Sequence, residues 1–144
     1  MYVAGISDTV LDSALMEKLS SLGQASSDSN TLKILPTVFG ERHDPDLLAS
    51  VTGISAHNAT LGAVFRAVSE GIVNNIFQLL PLDVLVAKGV KRIVGSGSVL
   101  SQNPLVLQRL QQVLAGKVDF VQGSGSDAAF GAAKAACAFL QQQD

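Results

Sequence analysis

Two short apolar runs in this chain, "VKRIVG" from Val90 and "KVDFVQ" from Lys117, each lead into the tetrapeptide GSGS and then into a helical pattern. A strand, a glycine turn and a helix in immediate succession, given twice, read as two successive βα units. In such a unit the helix carries the chain back, so that the next strand runs parallel to the last. The alternation predicts an α/β class with a largely parallel sheet core. It also puts each glycine turn at the carboxyl end of its strand.

The rest of the chain supports this class with few strands. Ser7 and Asp8 are N-cap candidates, Gly23 is a candidate stop, and Leu11, Leu15, Leu19 and Leu22 recur at helical spacing between them. "QASSDSNT" (Gln24 to Thr31) predicts a flexible polar loop. "LKILP" predicts a short strand over Leu32 to Pro36, and the segment from Thr37 to Asn58 predicts a long irregular loop. Loops of that length in a domain usually carry function or pack against something else.

A long helix is expected from about Ala59 to Leu80. Its apolar stripe runs through Leu61, Val64, Phe65, Val68, Ile72, Ile76 and Leu79. Gly71 interrupts it at a cost of about 1 kcal/mol against alanine, which marks a close helix contact. Pro81 starts a shorter helix that Gly89 ends. Asn103 and Pro104 have the residue types of an N-cap and a first helical position for a helix ending near Gly116. The last helix, from Asp127, is rich in alanine and glycine, which suits close packing on a sheet. Three candidate strands, Leu32 to Pro36, Val90 to Val94 and Lys117 to Gln122, are few for an open α/β sheet.

Composition removes several function classes. The 144 residues carry a net charge of -2 with scattered Lys and Arg, which argues against electrostatic nucleic-acid binding and against a basic membrane-binding face. No uncharged apolar run reaches the ~18 residues of a membrane span, and "MYVAGISDTVLD" does not read as a signal peptide. The single cysteine, Cys137, forbids an internal disulfide, reads as a buried structural thiol and suits a reducing compartment such as the cytoplasm. The chain is 47% hydrophobic and only 15% charged. That is apolar for its length and points to surface meant for a partner.

The glycine turns have two readings. Glycine lets backbone approach a ligand closely, so Gly95-Ser96-Gly97-Ser98 and Gly123 to Ser126 could touch a nucleotide. Either could equally be a plain strand-to-helix turn. "GSGSVL" fails the dinucleotide fingerprint because Leu100 stands at its third glycine, and no G-x-x-x-x-G-K-[ST] loop occurs. "GSGSDA" fits G-x-G-x-x-A, but no acidic residue ends a strand about 20 positions later. His43 and His57 have too few companion ligands for a metal site. The cluster of Glu41, Arg42, Asp44 and Asp46 around His43 reads as a solvated or interfacial ion-pair group, or else as a polar site. Ser96, Ser98 and Ser101 have no Ser-His-Asp arrangement around them.

Four motifs, taken in order, resemble the FGGY-type carbohydrate kinases. "LPTVFGERHDPDLLASVTGIS" is similar to the opening of that family's recognisable tail, with Gly40, Glu41, Arg42, Pro45, Asp46 and Gly53 at its characteristic positions. "FRAVSEGIVNNI" resembles its long helix, through Arg66, Ala67, Glu70, Gly71 and Ile72. "IVGSGSVLSQN" resembles its adenosine loop. "GSDAAFGAAKAA" resembles its terminal helix, through Asp127, Gly131, Ala132, Ala133 and Ala136. The match runs from about Leu35 to Ala136, and its spelling is closest to kinases of sedoheptulose.

The resemblance implies an actin/hexokinase-like fold, with two ribonuclease-H-like domains flanking a cleft. ATP lies largely on the second domain and the sugar largely on the first. Carried over by position, Gly97 matches the glycine that approaches the nucleotide, Gly95, Ser96 and Ser98 complete the loop, and Ser101 stands where some relatives place an asparagine near the adenine. Ser96 departs from the family's usual glycine. The phosphate hairpin, the catalytic aspartate and the Mg²⁺-linked acidic residues of such kinases match nothing here, so no catalytic or metal residue is assigned to this chain. Residues 1–144 are therefore expected to form one C-terminal kinase domain lacking its first strands. That is an incomplete ribonuclease-H-like second domain, a mixed sheet with flanking helices, inactive alone and prone to self-association. Its partners would be ATP and, through the rest of the kinase, a sugar, with Mg²⁺ in the full-length protein. Two rivals remain: a non-catalytic α/β binding or assembly module, and an α/β dinucleotide-binding domain.

Overall fold

The structure is a computed structural model that describes residues 13–26, 31–123 and 128–140. The chain divides into two units, Met1–Ile76 and Phe77–Asp144. The proposed caps Ser7 and Asp8, Leu11 and most of the second GSGS tetrapeptide lie outside the described residues.

In the first unit, helix α1 (Ser13–Ala25) is followed by strands β1 (Lys33–Leu35) and β2 (Ser50–Thr52) and then by helix α2 (Leu61–Leu79), which ends beyond the unit's boundary. α1 continues past Gly23, so that glycine is not its stop. β1 and β2 pair antiparallel, with Ile34 opposite Val51. β2 thus falls inside the segment expected to be irregular. It is only three residues long and exposed throughout, so "SVT" shows none of the alternation that would reveal a half-buried strand. Asn58 ties down the far end of this hairpin. Its Nδ2 donates to the carbonyl of Gly53 at 2.8 Å, and its Oδ1 accepts from the N–H of Ser55 at 2.7 Å.

The buried face of α2 is not the stripe of large side chains. Gly62, Ala63, Arg66, Ala67, Ser69, Gly71 and Val73 are buried, while Leu61, Ile76 and Leu79 are at least half exposed. Ala63 and Ala67 pack on Leu32, with Ile34 and Val64 beside them. The reason is close backbone approach. A Cβ on Gly62 would overlap the carbonyl oxygen of Leu22 in α1, and one on Gly71 would overlap that of Ile34 in β1. Gly71 therefore marks a close contact, as its place in the helix predicts, but with a strand and not with a helix.

The second unit contains helix α3 (Leu82–Ala87), strand β3 (Arg92–Gly95), helices α4 (Ser98–Gln102) and α5 (Pro104–Leu114), strand β4 (Asp119–Gln122) and helix α6 (Ala128–Leu140). β3 and β4 pair parallel, as the βα pattern predicts, with Ile93 opposite Phe120 and Gly95 opposite Gln122. The antiparallel pair and the parallel pair form separate two-stranded sheets among the described residues. Leu105, Val106, Leu110 and Leu114 of α5 are buried, as are Leu82 and Val118. Cys137 is exposed, which corrects its reading as a buried thiol.

Asn103 caps α5 as expected. Its Oδ1 accepts from the N–H groups of Leu105 and Val106 at 3.1 and 3.3 Å, and Pro104 occupies the first helical position. Asn103 is itself buried, so an alanine there would leave these donors without the side-chain acceptor that water does not readily replace. Asn103→Ala is expected to cost about 1–2 kcal/mol. Chemical denaturation followed by circular dichroism checks this; a loss below about 0.5 kcal/mol would show that the cap contributes little.

Candidate functional site

The five loop positions lie in the second unit, in one continuous turn. β3 ends at Gly95, Ser96 leaves the strand, and Gly97 precedes α4, which Ser98 opens. Gly97 has φ 110° and ψ 164°, a left-handed conformation that side chains rarely adopt. A Cβ built on it would meet nothing within 4 Å, so the outer face of the turn is open. The two facts together require glycine for conformation and leave space for an approaching group.

Ser101 folds back onto the loop. Its N–H donates to the carbonyl of Gly97 at 3.2 Å, and its Oγ donates to that of Ser98 at 3.1 Å. Ser96, Gly97, Ser98 and Ser101 are all exposed, and Gly95 is half-buried. The structure thus brings Gly95, Ser96, Gly97, Ser98 and Ser101 together as a small, polar, accessible surface. Its side chains can exchange hydrogen bonds with a ligand, and none of them is a general acid or base.

Sequence reasoning missed what lies beneath this turn. A Cβ on Gly95 would come within 2.7 Å of Leu100 Cδ1 and 2.8 Å of Phe120 Cε2. The N–H of Gly123, just past β4, donates to the carbonyl of Gly95 at 2.8 Å. The parallel register is the cause: it puts the end of β4 beside the end of β3, and so puts Gly123 beside the first glycine turn.

The charged cluster around His43 belongs to the first unit, and its polar groups hold their own loop together. Glu41 and Asp44 exchange backbone hydrogen bonds at 2.9 and 3.1 Å, and the N–H of Asp46 donates to Asp44 Oδ1 at 3.2 Å. Asn75 Nδ2 donates to Glu41 Oε1 at 2.6 Å and ties the loop to α2. Gly40, with φ 71°, sits directly against the carbonyl of Pro45. A cleft of about 580 Å³ in the same unit is lined by His57, Ser55, Thr60 and Thr31, among others. It contains none of the loop positions, and its Asn58 amide is spent on the hairpin. Among the described residues no three His, Cys, Asp or Glu side chains gather as metal ligands. No helix among them is long and apolar enough to cross a membrane.

No family model matches the chain. A sedoheptulokinase from Mus musculus is 43% identical over 132 residues, which cover 92% of this chain and 27% of that protein. A sedoheptulokinase from Homo sapiens is 49% identical over 102 residues, covering 71% of this chain and 21% of that protein. The chain therefore spans about a quarter of the length of the curated relatives it matches. Among solved structures, a xyloylose kinase from Brucella ovis superposes with a TM-score of 0.62 at 26% identity, over 82% of this chain and 25% of that one. A xylulose kinase from Rhodospirillum rubrum superposes with a TM-score of 0.60 at 20% identity, over 79% of this chain and 23% of that one, a likeness of fold.

Proposed function

Because this chain is homologous to the C-terminal part of the sedoheptulokinases, carbohydrate kinases of the FGGY type, we propose that it forms the nucleotide-contacting part of an ATP-dependent sugar kinase acting on sedoheptulose. The observation that carries this reading is the Gly97 turn. It combines a left-handed backbone with an open outer face at the end of a parallel strand, at the position where the resemblance expects a glycine against ATP. Carboxyl ends of parallel strands are where ligands of α/β proteins bind as a rule.

ATP supplies the phosphoryl group, which a sugar hydroxyl would attack in line. Positioning and charge stabilisation carry most of the catalysis in such transfers. The part played by this chain is positioning. The backbone of Gly95 to Ser98 lies against the nucleotide, and Ser96, Ser98 and Ser101 keep that surface small and polar. No metal ligand and no proton transfer are assigned to this chain's residues.

Gly97→Val in the whole kinase is expected to weaken ATP binding by about tenfold or more, equivalent to ~1.4 kcal/mol. The β-branched side chain would both strain the turn and project into the open face. Sedoheptulose affinity should change by less than about twofold. Paired dissociation constants for the two ligands test this, with circular dichroism as the folding control. Unchanged ATP affinity in a folded variant would return the loop to a plain turn.

A further inference from the structure

We infer that Phe120 is a positioning residue for the glycine turn, with Gly123 as its backbone counterpart. This rests on the reading that the Gly95–Ser98 turn contacts the nucleotide. Phe120 lies opposite Ile93 in the parallel register, and Gly95 lies two residues further along β3. A diagonal neighbour at that separation is within reach of an aromatic side chain. The ring takes that path. Its Cε2 and Cζ atoms stand 2.8 and 2.9 Å from where a Cβ of Gly95 would be, and Leu100 Cδ1 closes the same space at 2.7 Å. The ring and the leucine methyl together occupy the volume that a side chain at position 95 would fill.

An aromatic ring laid over a strand glycine restores the packing that the glycine lacks. Here it fixes the last residue of β3 from one side. From the neighbouring strand's end, the N–H of Gly123 fixes the Gly95 carbonyl at 2.8 Å. Gly123 also has little room for a side chain: its Cβ would meet Val94 Cγ1 at 3.1 Å and Ser96 Cβ at 3.6 Å. Ser96, Gly97 and Ser98, which follow Gly95, are exposed. The direction in which Ser96, Gly97 and Ser98 leave the strand is therefore set at Gly95, by groups on β4 and just past its end.

Phe120→Leu keeps an apolar side chain on β4 but removes the ring from Gly95. Two readouts separate the parts of the inference. In the ¹⁵N-labelled chain without nucleotide, the amide resonances of Gly95 to Ser98 should move in Phe120→Leu and stay near their original positions in Phe120→Tyr, which keeps the ring. In the whole kinase, Phe120→Leu should raise the ATP dissociation constant about fivefold and leave the sugar constant within about twofold, and Phe120→Tyr should restore it. Loop resonances that do not move in Phe120→Leu would overturn the positioning role. Resonances that move while ATP affinity stays unchanged would instead overturn the reading that this turn contacts ATP, and the functional part of the inference with it.

Discussion

Gly71→Ala is expected to destabilise the first unit by about 2 kcal/mol, although alanine is the better helix former. The two effects have opposite signs, and their sizes decide the outcome. Alanine in place of a mid-helix glycine gains about 1 kcal/mol in propensity. At this position, however, the new methyl would overlap the backbone carbonyl oxygen of Ile34, with Pro36 Cδ at 3.3 Å behind it. A backbone carbonyl cannot rotate away as a side chain can, so β1 or α2 must shift. Overpacking of this kind costs typically 1–3 kcal/mol, and more where the moving strand is also half of a two-stranded ladder. The net loss should lower the melting temperature by roughly 6 °C for a chain of this size. Gly131 provides the control. It lies in α6, is exposed, and a Cβ there meets nothing within 4 Å. Gly131→Ala should therefore raise stability by about 0.5–1 kcal/mol. Thermal melts of both variants, followed at 222 nm, check the pair. If both substitutions stabilise, the close approach of α2 to β1 is wrong.

The contrast between these two glycines bears on what the sequence could reveal. Elements with a local chemical cause were legible. Asn103 followed by Pro104 marked the start of α5, and the two strand-glycine-helix successions marked a parallel pair whose ends lie side by side. Elements whose cause is a neighbour distant in sequence were not. β2 has no pattern of its own and exists because β1 is available to pair with it. The buried face of α2 is chosen by how close α1 and β1 come, so Gly62, Ala63 and Ala67 go inside while Leu61 stays exposed. The proposed loop positions followed from the resemblance and from the glycine spacing together. Phe120 did not, because "KVDFVQ" alone says nothing about a glycine across the ladder. The resemblance had also marked Arg66, Glu70 and Gly71 without a physical reason. For Gly71 the reason is the contact with Ile34. For Arg66 it is different.

Arg66 is 6% exposed, a rare degree of burial for an arginine. Its Nε donates to the carbonyl of Gly23 at 2.9 Å and its Nη2 to that of Gln24 at 3.3 Å. Both carbonyls belong to the last turn of α1, where the regular helical N–H partners run out and a positive charge is favoured; that of Gly23 also accepts from the N–H of Ser26 at 3.2 Å. The ion pair with Glu70, at 3.4 Å, is the lesser part. Glu70 is 35% exposed, and pairs open to water contribute at most about 1 kcal/mol. Arg66→Met keeps most of the side-chain volume and removes all of these donors. It would take the guanidinium from the buried carbonyl of Gly23 and from that of Gln24, an exposed residue, at a cost of about 2–3 kcal/mol. Arg66→Lys should recover less than half of that, because one ammonium cannot reproduce two divergent N–H donors held in a plane. Glu70→Gln should cost under about 1 kcal/mol. Urea denaturation of the three variants gives the order. A Glu70→Gln loss equal to that of Arg66→Met would mean that Arg66 acts chiefly through its ion pair within α2; the expected order assigns its effect to the carbonyls of Gly23 and Gln24, which join α2 to α1.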